Sequence, residues 1–320
     1  MRAAWRTRYG PPESIRVENV AIPEPGPGEV RVRVRATTVN RTDCAILRAK
    51  PFVMHFVVGF TKPKRPILGT DFAGEIDAIG DGVIEFAVGD RVFGFEDNGA
   101  SSQAEFLVLG VKRGIAKIPD GIDFETAAAS IEGAHYAINF LNKVESVRGR
   151  DVLVNGATGA IGSAMVQLAK HAGARVVAVC RSEHEELARS LGADSVIDYE
   201  REDFTNGPKD SYDFVFDTVG KKTFARARHV LRKGGTYISS ELGPFAQNPI
   251  LALTTRILGS RKVKFPVPLD IPRSLEIVRE RLTDQSFRPV IDRRFPLSDV
   301  SEAYRYAETG QKVGNVVLTI

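Results

Sequence analysis

DVLVNGATGAIGSAMVQLAK, residues 151–170, is the stretch whose reading decides the fold. An apolar run ends in three glycines, Gly156, Gly159 and Gly162, and a helical pattern begins near Ala160. Glycines so close together let a backbone turn tightly, and a helix start presents free amides and a positive dipole to a phosphate. The stretch from Gly156 through Ala157, Thr158, Gly159, Ala160 and Ile161 to Gly162 therefore predicts a cradle for a dinucleotide pyrophosphate. Gly162 also suits close packing of helix on sheet. The spacing is G-x-x-G-x-x-G, which departs from the common dinucleotide fingerprint in its first gap. No Gly-Lys-Ser/Thr ending follows, which argues against a nucleoside-triphosphate loop.

The next strand-like run, RVVAVC, ends in Cys180-Arg181-Ser182. An acidic residue there accepts hydrogen bonds from the ribose of NAD. Arg181 instead suits the 2′-phosphate of NADP(H), with Ser182 as a further donor. A solvent-facing arginine beside a helix-capping serine is the other reading, and Glu183 and Glu185 lie close enough to weaken the first.

Working outward, helical and apolar strand-like segments alternate from about Lys117. FETAAASIEGAHYAINFL, SAMVQLAKHAGA, EHEELARSLGA and TFARARHVLRKGG read as helices. DVLVNGA, ARVVAVC, SVIDY, YDFVFDTVG and TYISSEL read as strands. Such alternation predicts a parallel sheet covered on both faces. Upstream, SIRVENV, EVRVRVRATTV, DFAGEIDAIG, GDRVF and SSQAEFLVL are short strands punctuated by PEPGPG and GDG. In RVRVR, period two puts the valines on a core and the arginines in solvent. The tail offers SLEIVRERLTDQS and SEAYRYAETG as helices, VIDRRFPL and NVVLTI as strands, and resembles the first part in texture. The expected organisation is a catalytic domain over 1–118, an inserted cofactor domain over 119–265, and a return segment over 266–320. Segment 51–66, PFVMHFVVGFTKPKRP, reads as a lid or pocket wall in preference to a membrane contact.

The composition narrows the classes. Of 320 residues, 43% are hydrophobic and 26% charged, which fits a folded chain with a sizeable core. The formal charge of +4 is small for nucleic-acid recognition, and no finger spacing or long basic helix accompanies it, so no nucleic-acid partner is expected. Two cysteines, Cys44 and Cys180, cannot build a disulfide framework or a zinc cluster. No apolar run approaches the roughly 20 residues of a membrane span, so no stable membrane insertion is expected. The first 30 residues lack both a secretory core and a transit-type helix, and the expectation is a cytoplasmic protein.

The whole pattern resembles the medium-chain dehydrogenase/reductase superfamily, in its zinc-free quinone oxidoreductase branch. PEPGPGEVRVRV, VNRTD, PILGTDFAGEI, VGDRVFG, VLVNGATGAIGSAMVQLAK, LGADSVIDY, FDTVG, LRKGGTYI and GQKVGNVVLTI carry the resemblance over nearly the full length. It implies an α/β protein: a GroES-like β-barrel catalytic domain plus a Rossmann domain, with a doubly wound parallel sheet, for the cofactor. Where the zinc enzymes of the superfamily carry Cys and His ligands, this chain has Asn40 and Thr70. The structural-zinc cysteines are missing too, so no metal is expected: a catalytic zinc needs three protein ligands.

Without zinc to polarise an alcohol, the resemblance implies hydride transfer from NADPH to a quinone or another small conjugated carbonyl compound. Another small-carbonyl or acyl reductase of the superfamily, and a non-enzymatic nucleotide-binding protein, are the alternatives. Asn40 is the first candidate for a catalytic polar contact, or else it pins the loop that ends RVRVRATTV. Asp43 is a pocket residue or a helix cap. His135 stands where relatives carry a threonine, as a ribose contact or proton donor, or as a hydrogen-bonded structural histidine. Tyr199 resembles a residue near the adenosine. Thr218, Val219, Gly220, Leu242 and Gly243 fall at strand-end loops on the nicotinamide side. Asn315 replaces a lysine that many relatives carry. KVKFPVPL suits pairing across a sheet edge, from which a homodimer is expected.

Overall fold

The structure, a computed structural model, describes residues 1–52 and 54–320, and of Val57 the backbone only. Val53, within the 51–66 segment singled out above, lies outside the described residues. The chain divides into two compact units, Met1–Glu132 with Asp270–Ile320, and Gly133–Leu269.

The elements follow in chain order. First come β1 (Arg2–Trp5), β2 (Arg16–Asn19), β3 (Glu29–Val39), α1 (Arg41–Arg48), α2 (Met54–Val58), β4 (Asp71–Ile79), β5 (Arg91–Phe95), β6 (Phe106–Gly110), β7 (Ile115–Lys117), α3 (Phe124–Ala129) and α4 (Ile131–Leu141). The second unit carries β8 (Asp151–Asn155), α5 (Ala160–His171), β9 (Arg175–Cys180), α6 (Glu185–Ser190), β10 (Ser195–Asp198), β11 (Tyr212–Asp217), α7 (Phe224–Ala227), β12 (Leu231–Ser239), α8 (Gln247–Ile257) and β13 (Lys262–Lys264). The chain closes with α9 (Ile271–Thr283), β14 (Ile291–Pro296), α10 (Val300–Glu308) and β15 (Asn315–Thr319).

In the first unit a sheet runs β14-β15-β3-β4-β5-β7, with β6 added on β3. The tail strand β15 thus lies antiparallel to β3, joining the two ends of the chain in one sheet. Alternation sets the faces of β3. Val30, Val32 and Val34 are buried with Phe72, Ile76, Val92 and Leu107. The arginines between them do more than face solvent: Arg31 and Arg33 pair with Asp77, and Arg35 with Glu75, all on β4. These cross-strand pairs are partly exposed, and each contributes modestly.

The second unit is one parallel sheet in the order β10-β9-β8-β11-β12-β13. Numbered within the unit this is 3-2-1-4-5-6, the doubly wound order, with the direction of winding reversing between β8 and β11. The inner strands are apolar because helices cover both faces; Leu153, Val179, Val215 and Tyr237 share one core. Register levels their C-terminal ends, with Asn155 beside Asp217 and Val179, Asp198 beside Cys180, and Asp217 beside Ser239.

Several segments differ from the reading above. TFARARHVLRKGG is helical only through Ala227; Val230 and Leu231 bury into the same core as Phe224 and turn the chain into β12. Gly234, at φ +84°, then lies inside β12, where the pairing with β11 shifts register. Helix α8 and the short strands β1 and β7 form in stretches with no element assigned.

Candidate functional site

The levelled strand ends of the second unit gather the residues read as cofactor ligands. Asn155 ends β8, and the chain turns through Gly156 at φ +79°. The amides of Gly156 and Ala157 both donate to Val179 O at 3.1 Å, which ties the turn to β9. The three glycines are needed for different reasons. A Cβ on Gly156 would sit 2.0 Å from Val219 Cγ2, and one on Gly162 would sit 2.0 Å from Gly156 O. At Gly159 a Cβ meets nothing closer than Gly156 O at 3.5 Å, an ordinary contact. Gly159 is the N-cap of α5, in extended backbone and with no side chain to cap it. The first-turn amides of α5 are therefore left for a ligand, and a bare N-cap lets a phosphate approach them. Ala157 and Ala160 are buried and Thr158 and Ile161 half-buried around this turn.

Arg181 follows β9 and is partly exposed. Its Nε meets Tyr199 Oη at 2.9 Å and Glu200 Oε1 at 3.0 Å, and its Nη1 meets Glu183 Oε1 at 3.4 Å. Arg181 and Tyr199, eighteen residues apart in sequence, are thus brought together. Ser182 opens a single 3-10 turn. A phosphate reaching Arg181 would compete with two exposed carboxylates, one of which, Glu200, has no counterpart in the sequence reading.

The loop after β11 is organised by a residue that reading missed. Asp217 is fully buried. Its Oδ1 accepts from Asn155 Nδ2 at 2.9 Å, Gly220 N at 2.9 Å and Val219 N at 3.2 Å, while Oδ2 accepts from Tyr237 Oη at 2.9 Å. Thr218 Oγ1 donates back to Asn155 O at 2.8 Å. The loop 218–220 is thereby locked to the end of β8. The signal was present in VLVN and FVFD, two apolar runs that end in polar residues at paired positions. After β12, Gly243 has φ +72°, and Asn248 holds this loop through Leu242 O and Glu241 O. His135, in α4, is fully buried, with Asn139 Nδ2 3.4 Å from its Nδ1 and 2.9 Å from its carbonyl.

The other candidates lie in the first unit. Asn40 is the N-cap of α1 and is 2% exposed. Its Oδ1 accepts from Asp43 N at 2.8 Å, and Asp43 Oδ2 accepts from Asn40 N at 3.0 Å, a closed capping box. Its amide donates to Thr70 Oγ1 at 2.7 Å and to Asp71 Oδ2 at 3.0 Å. Asn40 and Thr70 are therefore bonded to each other. Among the described residues, no group of three or more His, Cys, Asp or Glu side chains is placed to hold a metal ion.

Three carboxyl groups surround this network, all held above their ordinary range by burial. Asp43 is pushed up to about 8, mainly by desolvation and also by the charge of Glu132. Asp71 is raised by burial and by Glu132. Glu132, which accepts from Thr42 Oγ1 at 3.0 Å, is raised by burial against the pull of Lys312. Sequence gave no warning of Glu132, because an acid in an apolar helical stretch reads as an exposed position. Asn315 is a buried pin, donating to Val290 O at 3.0 Å.

Comparison with known proteins follows this geometry. The alcohol dehydrogenase GroES-like domain family matches residues 26–137, and the zinc-binding dehydrogenase family matches residues 191–318. A chloroplastic quinone oxidoreductase of Triphysaria versicolor is 30% identical over 332 residues, covering 99% of this chain and 98% of that one. A chloroplastic NADPH-dependent alkenal/one oxidoreductase of Arabidopsis thaliana is 29% identical over 330 residues, covering 99% of this chain and 79% of that one. A mycobacterial protein solved as a complex with NADPH superposes with a TM-score of 0.81 at 26% identity, each chain being covered in full.

Proposed function

The chain belongs to the medium-chain dehydrogenase/reductase superfamily, in its zinc-independent quinone- and enone-oxidoreductase branch, and on that premise we propose the reaction it performs. It is an NAD(P)H-dependent oxidoreductase of quinones or α,β-unsaturated carbonyl compounds. The observation that carries the reading is the uncapped start of α5 at the point where the sheet reverses its winding.

NADPH, when bound, supplies a hydride to an electron-poor carbon. The rest is done by the chain. The amides at the start of α5 would hold the pyrophosphate, Arg181 with Ser182 would receive the 2′-phosphate, and Tyr199, bonded to Arg181, would meet the adenosine. The loops 218–220 and 242–243, the first of them fixed by Asp217, would contact the nicotinamide. The acceptor gains two electrons with the hydride, and water returns the proton that completes the reduced product.

Asn40 has both its oxygen and its amide engaged, which supports a positioning role: it holds α1 and Thr70 in place. To donate to an acceptor oxygen it would exchange its bond to Thr70. Asp43, closing the capping box, is read in the same way, and the burial of His135 beside Asn139 supports a positioning role there too. The second unit is read as the homodimer contact: β13 is a sheet edge, and Ile250, Leu253 and Ile257 of α8 are exposed. No helix among the described residues is long and apolar enough to cross a membrane.

The test is consumption of NADPH with a panel of quinones, enals and enones after chelation of divalent metal. Turnover with at least one class is expected. Inactivity across the panel, by protein shown to bind NADPH, would remove the proposed reaction.

A further inference from the structure

The first unit holds a cavity of about 430 Å³ that the reductase reading leaves unused. It is bounded by the end of β1, by α1 and α2, and by loops at 64–69 and 98–99. A volume of this size is that of a small-molecule site. Its lining is one-sided in charge: Arg6, Lys64 and Arg65 contribute, and no acidic residue does among the described residues. Ile46, Val58, Ile67 and Leu68 supply an apolar wall.

Arg6 is the unusual member. The residue is 2% exposed. Its side chain donates one hydrogen bond, from Nη1 to Ile46 O at 2.6 Å, and its guanidinium lies 5.3 Å from the Tyr9 ring centroid. Nε is enclosed and has no partner. A buried charge without a carboxylate against it is costly, and here burial depresses the guanidinium against the more distant pull of Tyr304, Tyr9 and Asp43. Asp43 is itself committed to its capping box. Arg65, by contrast, is anchored at the cavity mouth through Nη1 to the carbonyls of Gly99 and Asn98.

We propose that this cavity binds a short-chain organic carboxylate, its two oxygens taken by Arg6 and its hydrocarbon body lying on the apolar wall. A planar guanidinium with donors to spare matches two coplanar oxygens better than a spherical ion does. Lys64 and Arg65 add attraction at the mouth. The lining includes none of the residues assigned above to the cofactor.

Trp5, the one tryptophan of the chain, precedes Arg6 and bridges to Ile67, so its fluorescence reports on this wall. Butanoate, inorganic phosphate and chloride are titrated into the full-length protein at matched ionic strength. Butanoate should give a saturable change, with phosphate about tenfold weaker and chloride giving none. Arg6→Met should weaken butanoate about tenfold or more, while Arg8→Gln, an exposed neighbour, leaves it unchanged. A response shared by chloride, tighter binding of phosphate, or an unaltered midpoint in Arg6→Met overturns the assignment. If Arg6→Met does not fold, the double variant Lys64→Gln/Arg65→Gln decides: a several-fold weaker midpoint supports the site, and an unchanged one overturns it.

Discussion

Arg181 shows how a single side chain can be both legible and incomplete in sequence. Its place after RVVAVC pointed to a 2′-phosphate, and the residue directly follows β9, whose last residue, Cys180, lies at the levelled strand edge. What the sequence concealed is the company it keeps, since Tyr199 and Glu200 arrive from the turn after β10. Arg181→Ala should therefore weaken NADPH about tenfold to hundredfold, the worth of charge-assisted bonds to phosphate, and leave NADH nearly unchanged. Glu200→Gln removes a competing negative charge and should tighten NADPH by about twofold to fivefold, because the pair is exposed. Fluorescence titration of both nucleotides against the two variants checks this. Asp217 marks the opposite case. One letter in FDTVG gives no hint that its carboxylate collects four donors; that depends on β8 and β11 lying in register.

At the scale of elements, periodicity identified most strands of both units, while β1 and β7, of four and three residues, are too short to carry a period. It did less well where pattern and burial part company. Helix α8 leaves Ile250, Leu253 and Ile257 in the open, so no polar face marked it as a surface helix. If that stripe and the edge strand β13 join two copies, sedimentation should find a dimer, and Leu253→Asp/Ile257→Asp should give a monomer that still binds NADPH. A wild-type monomer contradicts the assignment. The start of α5 separates fold from ligand more sharply. Gly162→Ala would press a methyl group into Gly156 O and should cost about 2–3 kcal/mol in a denaturant titration. Gly159→Ala has room within the protein, so its stability should hold while NADPH weakens about tenfold or more. An alanine at 159 that binds NADPH normally would place the phosphate elsewhere.

Across the whole molecule, the order of motifs made the two-unit architecture legible, because each motif keeps its own strand end. The buried acids of the first unit were not legible, since burial arises only when β3, β4, α1 and the start of α4 come together. They give folding stability a pH dependence of definite sign. Asp43 has a native value of about 8 against 3.8 for the free side chain, so the native state retains a proton that the unfolded chain releases. Its contribution is fully present below about 4 and declines as pH rises through about 8, with Asp71 and Glu132 shifted in the same direction. Asp43→Asn, which can keep the bond from Asn40 N, should flatten the decline in the urea midpoint between pH 5 and pH 8. An equal slope in the variant assigns the dependence to other groups.

The central claim is that the chain delivers a hydride from NADPH to a conjugated acceptor without a metal. The most direct measurement uses NADPH deuterated at the transferable C4 position, an enone that the protein turns over, and a chelator throughout. Mass spectrometry should find one deuterium per product molecule, on the carbon β to the carbonyl, at a rate the chelator does not change. Product carrying only solvent hydrogen at that carbon, or turnover abolished by the chelator and restored by zinc, would contradict it.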